Sequence, residues 1–101
     1  VTQISEKRIT KKMKELLKQR FGGFWFKVHG GPFQAAGIPD LIGCVEGCFI
    51  AIEVKRPERM DQVSTLQAVT LDQISRSGGL AFVACDPEEA VKRVAEYLST
   101  S

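Results

Sequence analysis

Nothing in the 101-residue sequence approaches the roughly 18–20 consecutive apolar residues that cross a bilayer. The stretch from Val1 to Arg20 is charged throughout and lacks the apolar centre of a secretory signal. A cytoplasmic protein without a membrane partner is therefore expected. Internal repeats, low-complexity segments and linkers are also missing, so residues 1–101 are read as a single domain. Histidine occurs once, at His29, and cysteine three times, at Cys44, Cys48 and Cys85. Three is an odd count, and the spacing matches no common zinc module. The cysteines read as small buried hydrophobes, with a structural zinc or a disulfide as alternatives.

Acidic residues are scarce in one region. Between Lys7 and Lys27 stand eight lysines and arginines against a lone Glu15, although the net charge of the whole chain is only +2. Such a block suits a polyanion, and Lys7, Lys11, Lys14 and Lys27 are the candidate nucleic-acid contacts. A solvated helix face is the competing reading.

The apolar positions Ile9, Met13, Leu16, Leu17 and Phe21 recur at helical spacing, which predicts a helix from Ile4 to Phe21, stopped by Gly22-Gly23. Phe24 to His29 reads as a short strand and Gly30 to Gly37 as a loop. Asp40 to Val45 and Cys48 to Lys55 read as two strands joined by a Glu46-Gly47 turn. After a polar loop over Glu58 to Val63, Ser64 and Gln67 form a capping box. It opens a helix to Arg76, with Leu66, Val69, Ile74 and Leu71 turned inward. Leu80 to Cys85 is a strand. Asp86-Pro87 starts a last helix, running to Leu98. The order α-β-β-β-α-β-α predicts an α+β fold with a mixed sheet.

The hairpin carries the chemistry. With Glu46-Gly47 as a two-residue turn, opposed positions have numbers summing to 93, which sets Asp40 opposite Glu53. Two carboxylates there have Cβ atoms about 4.5–5.5 Å apart and repel unless a cation lies between them. Lys55 lies two residues beyond Glu53 and shares its face, whereas Ile50, Ile52 and Val54 line the other. Carboxylate oxygens and waters suit a hard cation such as Mg²⁺ or Mn²⁺. Such an ion polarises a phosphodiester and acidifies a bound water, and a neighbouring lysine orients that water or offsets charge in the transition state. Glu6 precedes Met13 by seven residues, about 20° short of two helical turns, so it falls on the apolar side. An inward acid needs a partner, and a metal is one answer. The alternatives are structural: Asp40 as a turn cap after Pro39, Glu53 and Lys55 as alternating exposed residues, Glu6 as a first-turn acid favoured by the helix dipole.

Pro39-Asp40 and Glu53-Val54-Lys55 resemble the two halves of the PD-(D/E)XK nuclease motif. The wider setting is more specific: Lys27-Val28-His29-Gly30, Gly37-Ile38-Pro39-Asp40-Leu41-Ile42-Gly43, Ala51-Ile52-Glu53-Val54-Lys55, then Leu66-Gln67 and Gly78-Gly79. It resembles the VRR-NUC (virus-type replication-repair nuclease) family from Glu6 to about Val83. The resemblance implies a restriction-endonuclease-like core and a divalent-metal-dependent DNA endonuclease. Asp40, Glu53 and the Val54 carbonyl would be metal ligands, with Lys55 the catalytic lysine. Glu6 falls where the family carries an acid on its first helix, and Gln67 at the family's glutamine, a role that competes with the capping box. Stand-alone members, many from bacteriophages, resemble Holliday-junction resolvases that work as homodimers. A branched DNA such as a four-way junction is then the expected partner, in the host cytoplasm if the chain is phage-encoded. Flap cleavage, an RNA substrate and a non-catalytic DNA-binding module are the competing functions. His29 reads as a structural or DNA-contacting residue rather than a general base. Trp25, with Phe24 and Phe26, reads as core or dimer contact rather than base platform.

Overall fold

The computed structural model describes residues 4–30 and 36–100. Helix α1 spans Glu6–Phe21. The Ser5 hydroxyl caps it by accepting from the Arg8 N–H at 3.2 Å, and Gly22 ends it at φ 67°. Ile9, Met13 and Leu17 are buried on one stripe of α1, as the helical spacing requires. Strand β1 (Phe24–Lys27) leads to β2 (Leu41–Val45) and β3 (Cys48–Val54). A 3-10 turn over Pro57–Arg59, inside the stretch expected to be irregular, precedes α2 (Thr65–Arg76). Then β4 (Leu80–Ala84) and α3 (Pro87–Thr100) complete the predicted order.

The four strands form one mixed sheet in the order β1-β2-β3-β4. The first two pairings are antiparallel, and β3–β4 is parallel, as its connection through α2 demands. Val45 faces Cys48 and Leu41 faces Ile52, which is the register predicted from the turn. Glu46 and Gly47 both have positive φ, 51° and 81°, the geometry of a hairpin turn matched to strand twist. Glu46 is the one described non-glycine residue in that region.

Helices α1 and α3 cover one face of the sheet. There Ile9, Met13 and Leu17 meet Ile50, Ile52 and Val54 of β3, and Ala90, Val91 and Val94 of α3 join the same core. Trp25 belongs to this face and lies over Gly43, where a Cβ would collide with the indole. Its Nε1–H donates to the Gly22 carbonyl at 2.8 Å, closing the turn between α1 and β1.

Helix α2 lies on the opposite face, against β4 and β3. Two expectations fail there. Leu66 and Val69 are exposed rather than inward, at 50% and 47%. Because α2 covers only the β3–β4 half of the sheet, its flank toward β2 packs on no strand, and Leu66 there lies against Gly37. The cysteines are not buried either: Cys44 is exposed, and Cys48 and Cys85 are half-buried, none of them in a disulfide. Cys44 alternates with the buried Gly43 and Val45, so it points to the face that α2 leaves open. Residues 31–35 of the expected loop Gly30 to Gly37 lie outside the described residues.

Candidate active site

Asp40 stands immediately before β2, at the end where the β2–β3 ladder stops. Its backbone carbonyl accepts from the Val28 N–H at 2.8 Å, which holds it beside the end of β1. Its side chain turns to the other neighbour, and Oδ2 accepts from the Val54 N–H at 2.8 Å. The carboxylate thus substitutes for the backbone acceptor that β2 no longer supplies. In an antiparallel pair the N–H and C=O of one residue leave by the same edge. The Val54 carbonyl therefore points toward Asp40 as well.

Glu53 is the buried acid of the sheet, 4% exposed near the C-terminal end of β3, where its neighbours Ile52 and Val54 are fully enclosed. Its Oε2 accepts from the Gln67 Nε2 at 3.1 Å and lies 3.8 Å from the Lys55 Nζ. The Lys55 side chain is itself only 13% exposed. Burial pushes the Glu53 carboxyl up to about 8, from an ordinary 4.5. The charge of Asp40 and a hydrogen bond with it add to the rise, Lys55 opposes it, and the charge of Glu6 adds a little more. The two opposed carboxylates thus resist a shared negative charge, as their register implied.

Gln67 performs two tasks. Its Oε1 accepts from the Ser64 N–H at 2.9 Å, and its own N–H donates to the Ser64 hydroxyl at 3.1 Å, completing the capping box of α2. The amide nitrogen left over reaches Glu53. One end of the Gln67 side chain thus completes the cap while the other holds Glu53.

Glu6 lies within electrostatic reach of Glu53, whose carboxyl its charge helps to raise, without completing a chelating group. No group of three acid, histidine or cysteine side chains able to hold a metal occurs among the described residues. Glu6 instead accepts from the Arg56 N–H at 3.3 Å, tying the start of α1 to the exit of β3. That contact sets the first turn of α1 at the same end of the sheet as Asp40. Lys7 lies in this turn, and Lys27 closes β1 next to Val28. Lys11 and Lys14 follow Lys7 within about 60° of arc, running away from that end along α1. His29 is exposed just past β1.

Sequence reasoning missed two participants. The Val54 N–H binds Asp40, a consequence of the register one residue beyond the predicted pair. Arg56 joins Glu6 through its backbone and Glu58 through its side chain at 3.5 Å. Its only sequence signal is adjacency to Lys55.

The donor set can be tested for a metal from its chemistry. Two carboxylates and a backbone carbonyl are hard oxygen donors, and Mg²⁺ is held by one or two carboxylates while keeping several waters. A cation would also relieve the repulsion that raises Glu53. Asp40, Glu53 and Val54 therefore fit a small divalent ion.

The VRR-NUC domain family profile matches residues 3–87 of the chain. A solved structure of a VRR_NUC domain superposes with a TM-score of 0.72 at 25% identity, covering 91% of this chain and 96% of that one. No curated protein matches.

Proposed function

The chain belongs to the VRR-NUC domain family and carries its nuclease fold, and from that premise we propose that it is a divalent-metal-dependent endonuclease selective for branched DNA. The observation that carries this reading is the buried Glu53 opposite Asp40 with Lys55 beside it. A purely structural or DNA-binding role gives no reason to enclose opposed carboxylates, because each costs stability when ionised.

Asp40, Glu53 and the Val54 carbonyl would hold Mg²⁺ or Mn²⁺. When bound, the ion supplies Lewis-acid stabilisation of the scissile phosphate and a more acidic water. Gln67 keeps one Glu53 oxygen in place, and the Val54 N–H fixes the rotation of Asp40. Lys55, its side chain largely enclosed and short of competing water, orients the attacking water or offsets charge on the phosphate. Glu6 secures the strand exit that carries Lys55 and Arg56, and adds a third negative charge to the surroundings of the ion. Lys7, Lys11, Lys14 and Lys27 would contact phosphates. Their alignment away from the catalytic end gives a path for a duplex arm.

A four-way junction is two-fold symmetric and needs two cuts, so a homodimer with two sites matches it, and resolvase-like action is the finer part of the proposal. If phage-encoded, the protein would work in the cytoplasm of the bacterial host. The test uses labelled four-way junction, flap and linear duplex with Mg²⁺, Mn²⁺ or EDTA, beside Asp40→Asn and Lys55→Ala. Metal-dependent cutting of the junction above the others, lost in both variants, is the expected result. Equal cutting by the variants, or none of any substrate, would overturn the enzyme reading. Preference for the flap would retain the nuclease and discard the resolvase.

A further inference from the structure

The face of the sheet that α2 leaves open bears apolar side chains in cross-strand rows. Phe24, Cys44 and Phe49 form one row through their pairings, and Phe26, Ile42 and Ala51 form the next. The row after that is Val28, Asp40 and Glu53, so the apolar surface adjoins the catalytic pair directly. Phe24, Phe26 and Phe49 are 63%, 49% and 43% exposed, and Cys44 between them is exposed too. Gln73 and Ile74 of α2 border Phe49 across a small cleft. Leu66 and Val69 project from the Gln73 side of the helix by its 100° per residue. Their exposure therefore extends the same patch.

We propose that this open half-sheet is the surface through which two copies of the chain pair. The inference rests on the homodimer reading above and deepens it by naming the surface. At about 200 Å² per phenylalanine, the exposed parts of Phe24, Phe26, Phe49, Leu66 and Val69 amount to about 450–500 Å². A stable interface takes about 800 Å² from each partner, of which about 56–65% is apolar, so the patch supplies the apolar share in full. The two strand rows contain no charged residue, and the Asp72 and Arg76 charges beside Val69 on α2 neutralise each other at 2.8 Å, so charge is depleted at the patch as at an interface centre. A surface for single-stranded DNA combines aromatics with free cations along the backbone path, and here Arg76 on the α2 flank is paired with Asp72 while the basic run lies on α1 and at the end of β1. With the catalytic row next to the patch, each site opens at the rim of the dimer.

The test is sedimentation of the full chain in EDTA from about 1 to 100 µM, a range set by interfaces of this size, alongside Phe24→Glu and Cys44→Arg. Both substitutions lie at exposed positions, and circular dichroism and melting temperature check that each remains folded. Peptide-resolved maleimide labelling of Cys44 supplies a second readout in the unmodified protein. The expected result is a wild-type dimer, monomeric variants with native spectra, and Cys44 labelling slowed at least about tenfold as dimer fills, in line with burial at an interface centre. A wild-type dimer that persists in both folded variants, with Cys44 labelled at an unchanged rate, would overturn this surface and leave the homodimer intact. A wild-type monomer at 100 µM, a concentration above the Kd of about 1–10 µM that a standard interface reaches at its weakest, would overturn both. Loss of oligonucleotide binding by Phe24→Glu in such a monomer would reassign the face to nucleic acid.

Discussion

Metal-free protein should lose stability as pH rises through the neutral range, because of Glu53. Its carboxyl titrates near 8 when folded and near 4.5 ordinarily. Between those values the folded state holds a proton that the unfolded chain has already shed. Folding stability then falls with pH, by about 1.36 kcal/mol per unit. The contribution is fully present below pH 4.5 and gone above about 8. Across the two units from pH 5.5 to 7.5 the loss is about 3 kcal/mol, a large share of the stability of a domain this small. At 4% exposure Glu53 has little solvent to screen the effect. Glu53→Gln removes the titration while keeping the shape and a polar partner for Gln67. Urea unfolding in EDTA at several pH values, for wild type and Glu53→Gln, isolates the residue because other groups cancel in the difference. The wild type should lose stability relative to the variant over that window, and the difference should level off above pH 8. A difference independent of pH would refute the account of the site as two carboxylates held together without a cation.

The same linkage governs the metal. An ion that needs ionised Glu53 must displace its proton below pH 8, so Mn²⁺ affinity should rise about tenfold per pH unit up to 8 and then flatten. Calorimetry at pH 7 in buffers of different ionisation enthalpy should report about 0.9 proton released per ion, the protonated fraction of a group titrating near 8. Release of no proton would mean that the ion binds without Glu53.

Lys55→Ala should slow cleavage about 10²–10³-fold while junction binding, measured by anisotropy, changes little; a parallel fall in both would make Lys55 a phosphate contact only. Ser64→Ala should cost about 1 kcal/mol in thermal unfolding and leave activity near wild type, since it removes the cap but spares the Gln67–Glu53 bond. Gln67→Ala should cost a similar stability and also about 10–100-fold in Mn²⁺ affinity or turnover, and equal activity in the two variants would assign Gln67 to the cap alone. Replacing Lys7, Lys11 and Lys14 together by alanine should flatten the plot of log affinity against log salt by about 0.9 for each phosphate no longer neutralised, and an unchanged slope would remove α1 from the DNA path. Glu46→Asn should raise stability by about 1 kcal/mol in urea unfolding, because asparagine tolerates the φ of 51° better than glutamate.

The parts of the site legible in the sequence were those set by local geometry. Glu46-Gly47 determined a two-residue turn, the turn determined the register, and the register set Asp40 against Glu53 with Lys55 one pleat on. The capping box was equally local, since Ser64 and Gln67 are three residues apart. Glu6 shows where such reasoning stops. Helical phase placed it correctly toward the apolar side, but whether it meets the carboxylates or the Arg56 N–H depends on how far α1 slides along the sheet, which no spacing encodes. Leu66 and Val69 fail for a related reason. Apolar residues at helical spacing require a hydrophobic partner without specifying that it belongs to the same chain. Helix α2 gives part of that stripe to β3 and β4 and leaves the rest exposed on the side of Gln73, which borders the exposed Phe49. The same ambiguity covers Cys44, whose alternation with Gly43 and Val45 fixes a face but not what lies over it. If the open half-sheet pairs with a second copy, the inward assignment of Leu66 and Val69 holds for the dimer and fails only for the isolated chain, so the labelling of Cys44 tests the sequence reading as much as the interface.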